Sequence, residues 1–355
     1  MFNEQYKKEK PLLGLLGSGG GLGYLAPKGS ETTILALAHE GSPYVSVYKW
    51  DSGFGTKYAN PSTLPPGNLR GLDWHPSANA IALGGDTSPY INAYPWDMDT
   101  GFGSKYSNPS TLPPAGGRGC SFTPDGNYLA FAHEQFPKVT VWNWSSGFGS
   151  KVANPSTNID ANSCDDVEFS PNGSYIGIAG RGSQIHAYDW SNGWGSTRYL
   201  SAGCGGQINN VSWHPDSNVL AAAHFGGDRQ SAFAYSGSGF GSKYSAPSGQ
   251  TNNAWAIQFH PDGDAIAVGH TISPYVSAWA WSNGWGSKYS NPSTAILDTG
   301  FGLGWSADGK DIAVGFYGSP HVHVYAWSSG FGSKYANPST LPTGRVWKCK
   351  FLTVD

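Results

Sequence analysis

Four histidines, His39, His133, His224 and His270, each close an apolar run and precede a loop. Imidazole is the commonest metal ligand, and a zinc-type centre needs three or four such groups meeting at one point. These four occupy the same place in four copies of a repeat, which sets them apart around the molecule, so they read as structural histidines. Asp97 and Asp99 before Gly101 resemble the start of a calcium loop, but the further oxygen ligands do not follow. The glycine-rich stretch at 17–23 lacks the Lys-Ser/Thr ending and the strand-to-helix setting of a phosphate cradle. No Ser-His-Asp order and no paired carboxylates stand out from the repeat. The expectation is no catalytic residue, no metal, no cofactor and no enzyme activity.

Cys120, Cys164, Cys204 and Cys349 sit mostly at different places in their repeats and form no Cys-x-x-Cys, which argues against a disulfide scaffold or a metal knot. Cys120 and Cys349 read as small core residues, and a single Cys164–Cys204 bridge stays open. A formal charge of -3 over 355 residues provides no basic footprint for nucleic acid or an anionic membrane. The lysines and leucines near the start resemble a secretory leader, but the apolar run is short and broken by glycine. No apolar stretch reaches the 18 or so residues of a membrane span. Neither an export signal nor membrane insertion is expected.

The elements that would position any site follow from a period. Phe54, Phe102, Phe148, Trp194, Phe240, Trp285 and Phe331 each lie between two glycines, at intervals of 48, 46, 46, 46, 45 and 46 residues. A fixed period of this length marks a repeat array and overrides the two or three domains that length alone suggests. Gly and Pro number 50 and 24 and charged residues are only 13%, a composition for short strands and tight turns. The unit at 117–157 divides into four strands: Cys120 and Phe122 alternate, Tyr128 to Ala132 is apolar, Val139 to Trp144 follows, and Lys151 to Ser156 ends it. Pro61, Pro109, Pro155, Pro247, Pro292 and Pro338 recur in the last segment, which places it at an exposed edge.

Seven such units make an all-β, seven-bladed β-propeller of four-stranded antiparallel blades, spanning 21–355 after an N-terminal arm at 1–20. There are eight candidates for the innermost strand, because Gly21 to Ala26 and the run with Trp347, Cys349 and Phe351 both qualify. The C-terminal run has the cleaner alternation and is expected to close the ring on Ile34 to Ala38, with strands from both termini in one blade.

Phe-Thr-Pro-Asp-Gly at 122–126, Phe-His-Pro-Asp-Gly at 259–263 and Trp-Ser-Ala-Asp-Gly at 305–309, with Val-Tyr-Lys-Trp-Asp at 47–51, resemble the WD-repeat family. A regular Gly-His before the first strand is missing. The added Gly-aromatic-Gly-Ser-Lys-Tyr-x-Asn-Pro-Ser segment is similar to propeller repeats in tailed-bacteriophage proteins. That resemblance implies a virion localisation and a non-enzymatic structural, fibre-associated or host-attachment role, with other virion proteins or a host surface receptor as partners. The alternatives are a lectin-like propeller binding a surface glycan and an intracellular WD-repeat scaffold.

Aromatics present in every copy, such as Trp50, Trp144 and Trp327, read as packing between blades. Lys57 and its counterparts read as solvated edge lysines, and Tyr58 and its counterparts as edge cover. The connections between second and third strands diverge, and loops on a rigid scaffold are where binding residues concentrate. Tyr44, Tyr90, Phe136, Arg181, Arg229, Tyr275 and His321 are the candidate binding residues.

Overall fold

A computed structural model describes residues 32–249 and 252–354. The arm at 1–20, the boundary at 21 and the candidate strand at 21–26 lie outside the described residues. The rest forms seven sheets of four antiparallel strands. Successive blades contribute inner strands Leu69–Trp74, Gly117–Phe122, Cys164–Phe169, Ile208–Trp213, Ala254–Phe259, Gly300–Trp305 and Val346–Val354. The last of these pairs with Thr32–His39, from Thr32 against Val354 to His39 against Val346, so the C-terminal strand closes the ring. Blade 1 therefore takes one strand from the C-terminal end and three from the N-terminal side, and the blades with inner strands from Leu69 onward are numbered 2 to 7.

The sheets hold because both faces of each are buried. Second strands such as Ala80–Gly85 and Ala265–His270 are buried at every residue. Seven apolar clusters, each drawn from adjoining blades, form the core. Aromatic edges meet aromatic faces across the seams: Tyr58 on Trp96 at 4.9 Å, Tyr106 on Trp144 at 5.4 Å, Tyr335 on Trp50 at 5.1 Å. T-shaped pairs of this kind add about 0.5–1.5 kcal/mol beyond their buried area. The repeated tyrosine is thus a bolt between blades.

The remaining repeat residues have similar duties. Lys57, Lys151 and Lys334 donate to Asn60, Asn154 and Asn337 at 2.5–2.7 Å, which explains the three-residue spacing of Lys and Asn in these segments. The buried third-strand aromatics Tyr48, Tyr94, Trp142, Tyr188, Trp279 and Tyr325 donate to backbone carbonyls of the segments after the recurring prolines, at 2.7–3.0 Å. At the seam between last and first blades, Asp311 accepts from Trp50 Nε1 and from Tyr335 Oη, both at 2.8 Å. One sequence expectation is corrected here. The outer strand is the Gly-aromatic-Gly segment itself, as in Phe148–Lys151, and the recurring prolines lie beyond it and are buried. An outer strand of four residues in most blades protects the edge by brevity.

The histidines fall where the sequence places them. His39, His133, His224 and His270 each engage one Ser or Thr of the adjoining third strand, at 2.9–3.1 Å. In two other blades the arrangement is exchanged across the sheet: His186 and His323 occupy the third-strand position, paired with Ile178 and Val314, while Gly180 and Phe316 end the second strands where the other four blades have histidine. In these six blades one imidazole lies between the second and third strands, supplied from either side, and in blade 2 Gly85 and Asn92 hold the two positions. Asp97 caps a turn, accepting from the backbone of Asp99 and Thr100. All four cysteines are free and buried, so Cys164 and Cys204 do not pair.

Candidate functional site

The start of each inner strand pairs with the end of its second strand, as Leu69 with Gly85 and Cys164 with Gly180. The divergent loops therefore surround one mouth of the central channel. Every inner strand is irregular at its second residue: the register jumps from Leu69 to Gly71, from Cys164 to Asp166, from Ile208 to Asn210 and likewise round the ring. Such bulges re-aim a side chain. Here they concern Arg70, Arg118, Asp165, Asn209, Trp255, Phe301 and Trp347, which line the axial cavity together.

The seven residues divide by chemistry. Trp255, Phe301 and Trp347 form a continuous aromatic arc, with centroid separations of 5.2 Å, 4.7 Å and 5.8 Å around the trio. Arg70, Arg118, Asp165 and Asn209 form the polar arc. Asp165 is buried and receives Arg118 at 3.4 Å, Arg181 at 3.1 Å and Gln207 at 3.2 Å. Arg70, Arg118 and Arg345 stand 5.0, 5.6 and 4.8 Å from the Trp347 ring, so that indole is braced by guanidinium groups. Arg345 also stacks on Phe301 and Tyr317, and Trp347 Nε1 donates to Glu40 at 3.0 Å.

Below the mouth the channel narrows. A Cβ on Gly71 would lie 2.4 Å from the Arg118 carbonyl, and one on Gly119 would meet the backbone of Asp166 at 2.6 Å. The axial cavity is about 50 Å³, room for water-sized molecules only. Its wall is ionic: Lys348 faces Asp166 at 3.6 Å, Lys350 faces Asp73 at 3.0 Å, and Asn210 donates to Asp166. Burial raises the carboxyl of Glu168 to about 7, and the nearby Lys350 only partly offsets it. Burial also opposes the charge of Lys350, but Asp73, Glu168 and Asp166 outweigh it and hold that ammonium above the usual lysine range. Burial raises Asp166 as well. A carboxylate that titrates near neutrality can accept a proton at physiological pH.

The candidate loop residues scatter around this mouth. Arg181 reaches into it through Asp165. Tyr90 and Phe136 line a cleft of about 470 Å³ that shares Arg70 and Arg118 with the mouth. Tyr44 and Tyr275 are half-buried against core clusters. Arg229 and His321 hold left-handed turn positions, at φ of 67° and 70°, and His321 Nδ1 lies 2.7 Å from the Tyr317 carbonyl. The loops also share a backbone pattern: His39, Gly85, His133, His224, His270 and Phe316 donate to residues 44, 90, 138, 229, 275 and 321. Divergent sequence thus covers uniform geometry in these six loops. The inner-strand residues at the mouth are absent from the sequence-based candidates. Their signal lay in one column of the repeat, where Arg, Arg, Asp, Asn, Trp, Phe and Trp succeed one another amid uniform neighbours.

No protein-family model matches the chain, and no curated protein matches it in sequence. Among solved structures the ring is similar to two proteins named putative 6-phosphogluconolactonase. The one from Bacteroides fragilis has a TM-score of 0.70 at 14% identity, covering 92% of this chain and 99% of that one. The one from Bacteroides uniformis has a TM-score of 0.67 at 14% identity, covering 90% and 99%. Hydrazine synthase from Kuenenia stuttgartiensis follows at 0.56 and 13%, covering 73% and 76%. At these identities the likeness establishes the fold: a seven-bladed β-propeller. It also corrects the expectation of a non-enzymatic virion propeller, because these similar rings carry enzyme names, and no family model supports the bacteriophage repeat type. The lectin-like and scaffold alternatives rested on the same premise of a non-catalytic ring. Among the described residues no helix is long and apolar enough to cross a membrane.

Proposed function

We propose that this chain is an enzyme-like propeller that takes a sugar-derived ring at the upper mouth and hydrolyses an ester within it, such as a lactone. The observation that carries the reading is the division of the mouth into an aromatic arc and a polar arc. A sugar ring has an apolar C–H face and a rim of hydroxyls. Trp255 and Phe301 suit the face, while Asn209 and the Arg118–Asp165–Arg181 group suit the rim. The names of the two Bacteroides proteins point to the same substrate class.

In this reading a water in the channel attacks the ester carbonyl carbon and loses its proton to Glu168. Arg118 stabilises the oxyanion, the ring C–O bond breaks, and the departing oxygen takes a proton back. Positioned general bases contribute about 10²–10⁴-fold, so Glu168→Gln is expected to cut turnover of glucono-1,5-lactone or its 6-phosphate about 100-fold. The wild-type rate should rise with pH through about 7, where Glu168 loses its proton. Hydrolysis no faster than buffer, with no effect of either lactone on tryptophan fluorescence, would sink the reading.

A further inference from the structure

The cleft between blades 2 and 3 is the ligand-sized space beside the mouth. Its about 470 Å³ falls in the range of small-molecule pockets, whereas the axial cavity admits only water. Its inner end is Arg70 and Arg118, two residues that also line the channel. Its outer wall is Phe136, 57% exposed at a loop tip, an unusual state for a large aromatic side chain. Asp86 and Glu134 add carboxylates, and Arg70 lies 3.6 Å from Asp86. Gly116 and Gly117 line its base, where backbones approach so closely that a Cβ on Gly117 would lie 1.8 Å from the Ala132 carbonyl. An exposed aromatic opposite planar charged groups repeats, one ring farther out, the division seen at the mouth.

We infer that this cleft is a second-ring subsite, so that the ligand spans at least two sugar rings, the inner one on the mouth and the outer one against Phe136. The inference rests on the mouth being a sugar site. Continuity through Arg70 and Arg118 argues for one ligand crossing both spaces rather than two independent ligands. The mixed lining, with two guanidinium groups balanced by two carboxylates, favours an uncharged outer ring over a phosphate.

The test is calorimetric binding of two lactams that resist hydrolysis, glucono-1,5-lactam with one ring and cellobiono-1,5-lactam with two, to the full chain. The two-ring ligand is expected to bind about tenfold more tightly. Phe136→Ala, a change at an exposed loop tip, should abolish that advantage while leaving the one-ring affinity within about twofold. Equal affinities for the two lactams, or equal weakening of both by Phe136→Ala, would overturn the subsite. If Trp255→Ala leaves one-ring binding intact, the reading of the mouth is wrong instead. Failure of both lactams to bind overturns both.

Discussion

Six imidazoles, His39, His133, His186, His224, His270 and His323, are at most 4% exposed, and burial lowers each of them to about 4. In the unfolded chain they titrate near 6.5, so below that pH the unfolded state binds protons that the native state refuses. Stability is therefore complete above 6.5 and is lost as pH falls toward 4. At pH 5 a shift from 6.5 to 4 amounts to about 2 kcal/mol per histidine, or about 12 kcal/mol for the group. Glu168 works in the opposite direction, since its raised pKa makes the native state the tighter proton binder, and offsets about 2 kcal/mol between pH 7 and 5. The remainder rivals the 5–15 kcal/mol net stability of typical domains. For a ring of this size it corresponds to a fall in Tm of about 15 °C, measurable by circular dichroism at pH 7.5 and pH 5. His270→Asn removes one titrating group and should recover about 3 °C of that fall. A Tm that moves by less than about 3 °C between the two pH values would refute the reasoning, because six neutral buried histidines could not then be what the fold contains.

Two further outcomes follow from the closure and the turns. Gly126 has φ of +74° and a Cβ there would lie 2.3 Å from His75 Nε2, which bonds the Gly126 carbonyl across the seam at 3.1 Å; Gly126→Ala should cost about 2–4 kcal/mol in urea unfolding, and a loss below 0.5 kcal/mol would contradict the packing. Deleting residues 346–355 removes the inner strand of blade 1 together with buried Val346 and Cys349, and should abolish cooperative thermal unfolding; a truncated chain that melts like the full one would show that the ring closes in another way.

Much of the fold is legible in the sequence because a repeat states it seven times. The apolar alternation of each unit, the tight turns ending in glycine and the aromatic that ends each third strand recur at nearly equal intervals, and each appears in the structure in the role its pattern implies. The edge is the exception. Proline's missing N–H excludes it from a central strand, but does not say whether it lies on an edge or beyond it, and burial after the strand depended on the neighbouring blade. The loop candidates show the same limit. Tyr44, Tyr90 and Tyr275 are the same Ser-Pro-Tyr residue in three loops and all pack against core clusters, yet only Tyr90 borders the cleft with Phe136, because the neighbouring blade decides what each loop faces.

The sequence by itself determined the blade count and the strand order, since these follow from local periodicity; it left two candidates for the closing strand, and the pairing of Val346–Val354 with Thr32–His39 decided between them. Only the tertiary structure decided that Arg70, Arg118, Asp165, Asn209, Trp255, Phe301 and Trp347 share one mouth. They lie about 46 residues apart along the chain, a spacing that signals repetition and not contact. Radial closure carries equivalent positions to a common axis, and the bulge at each second residue, invisible in the pattern of apolar residues, brings those side chains to the opening.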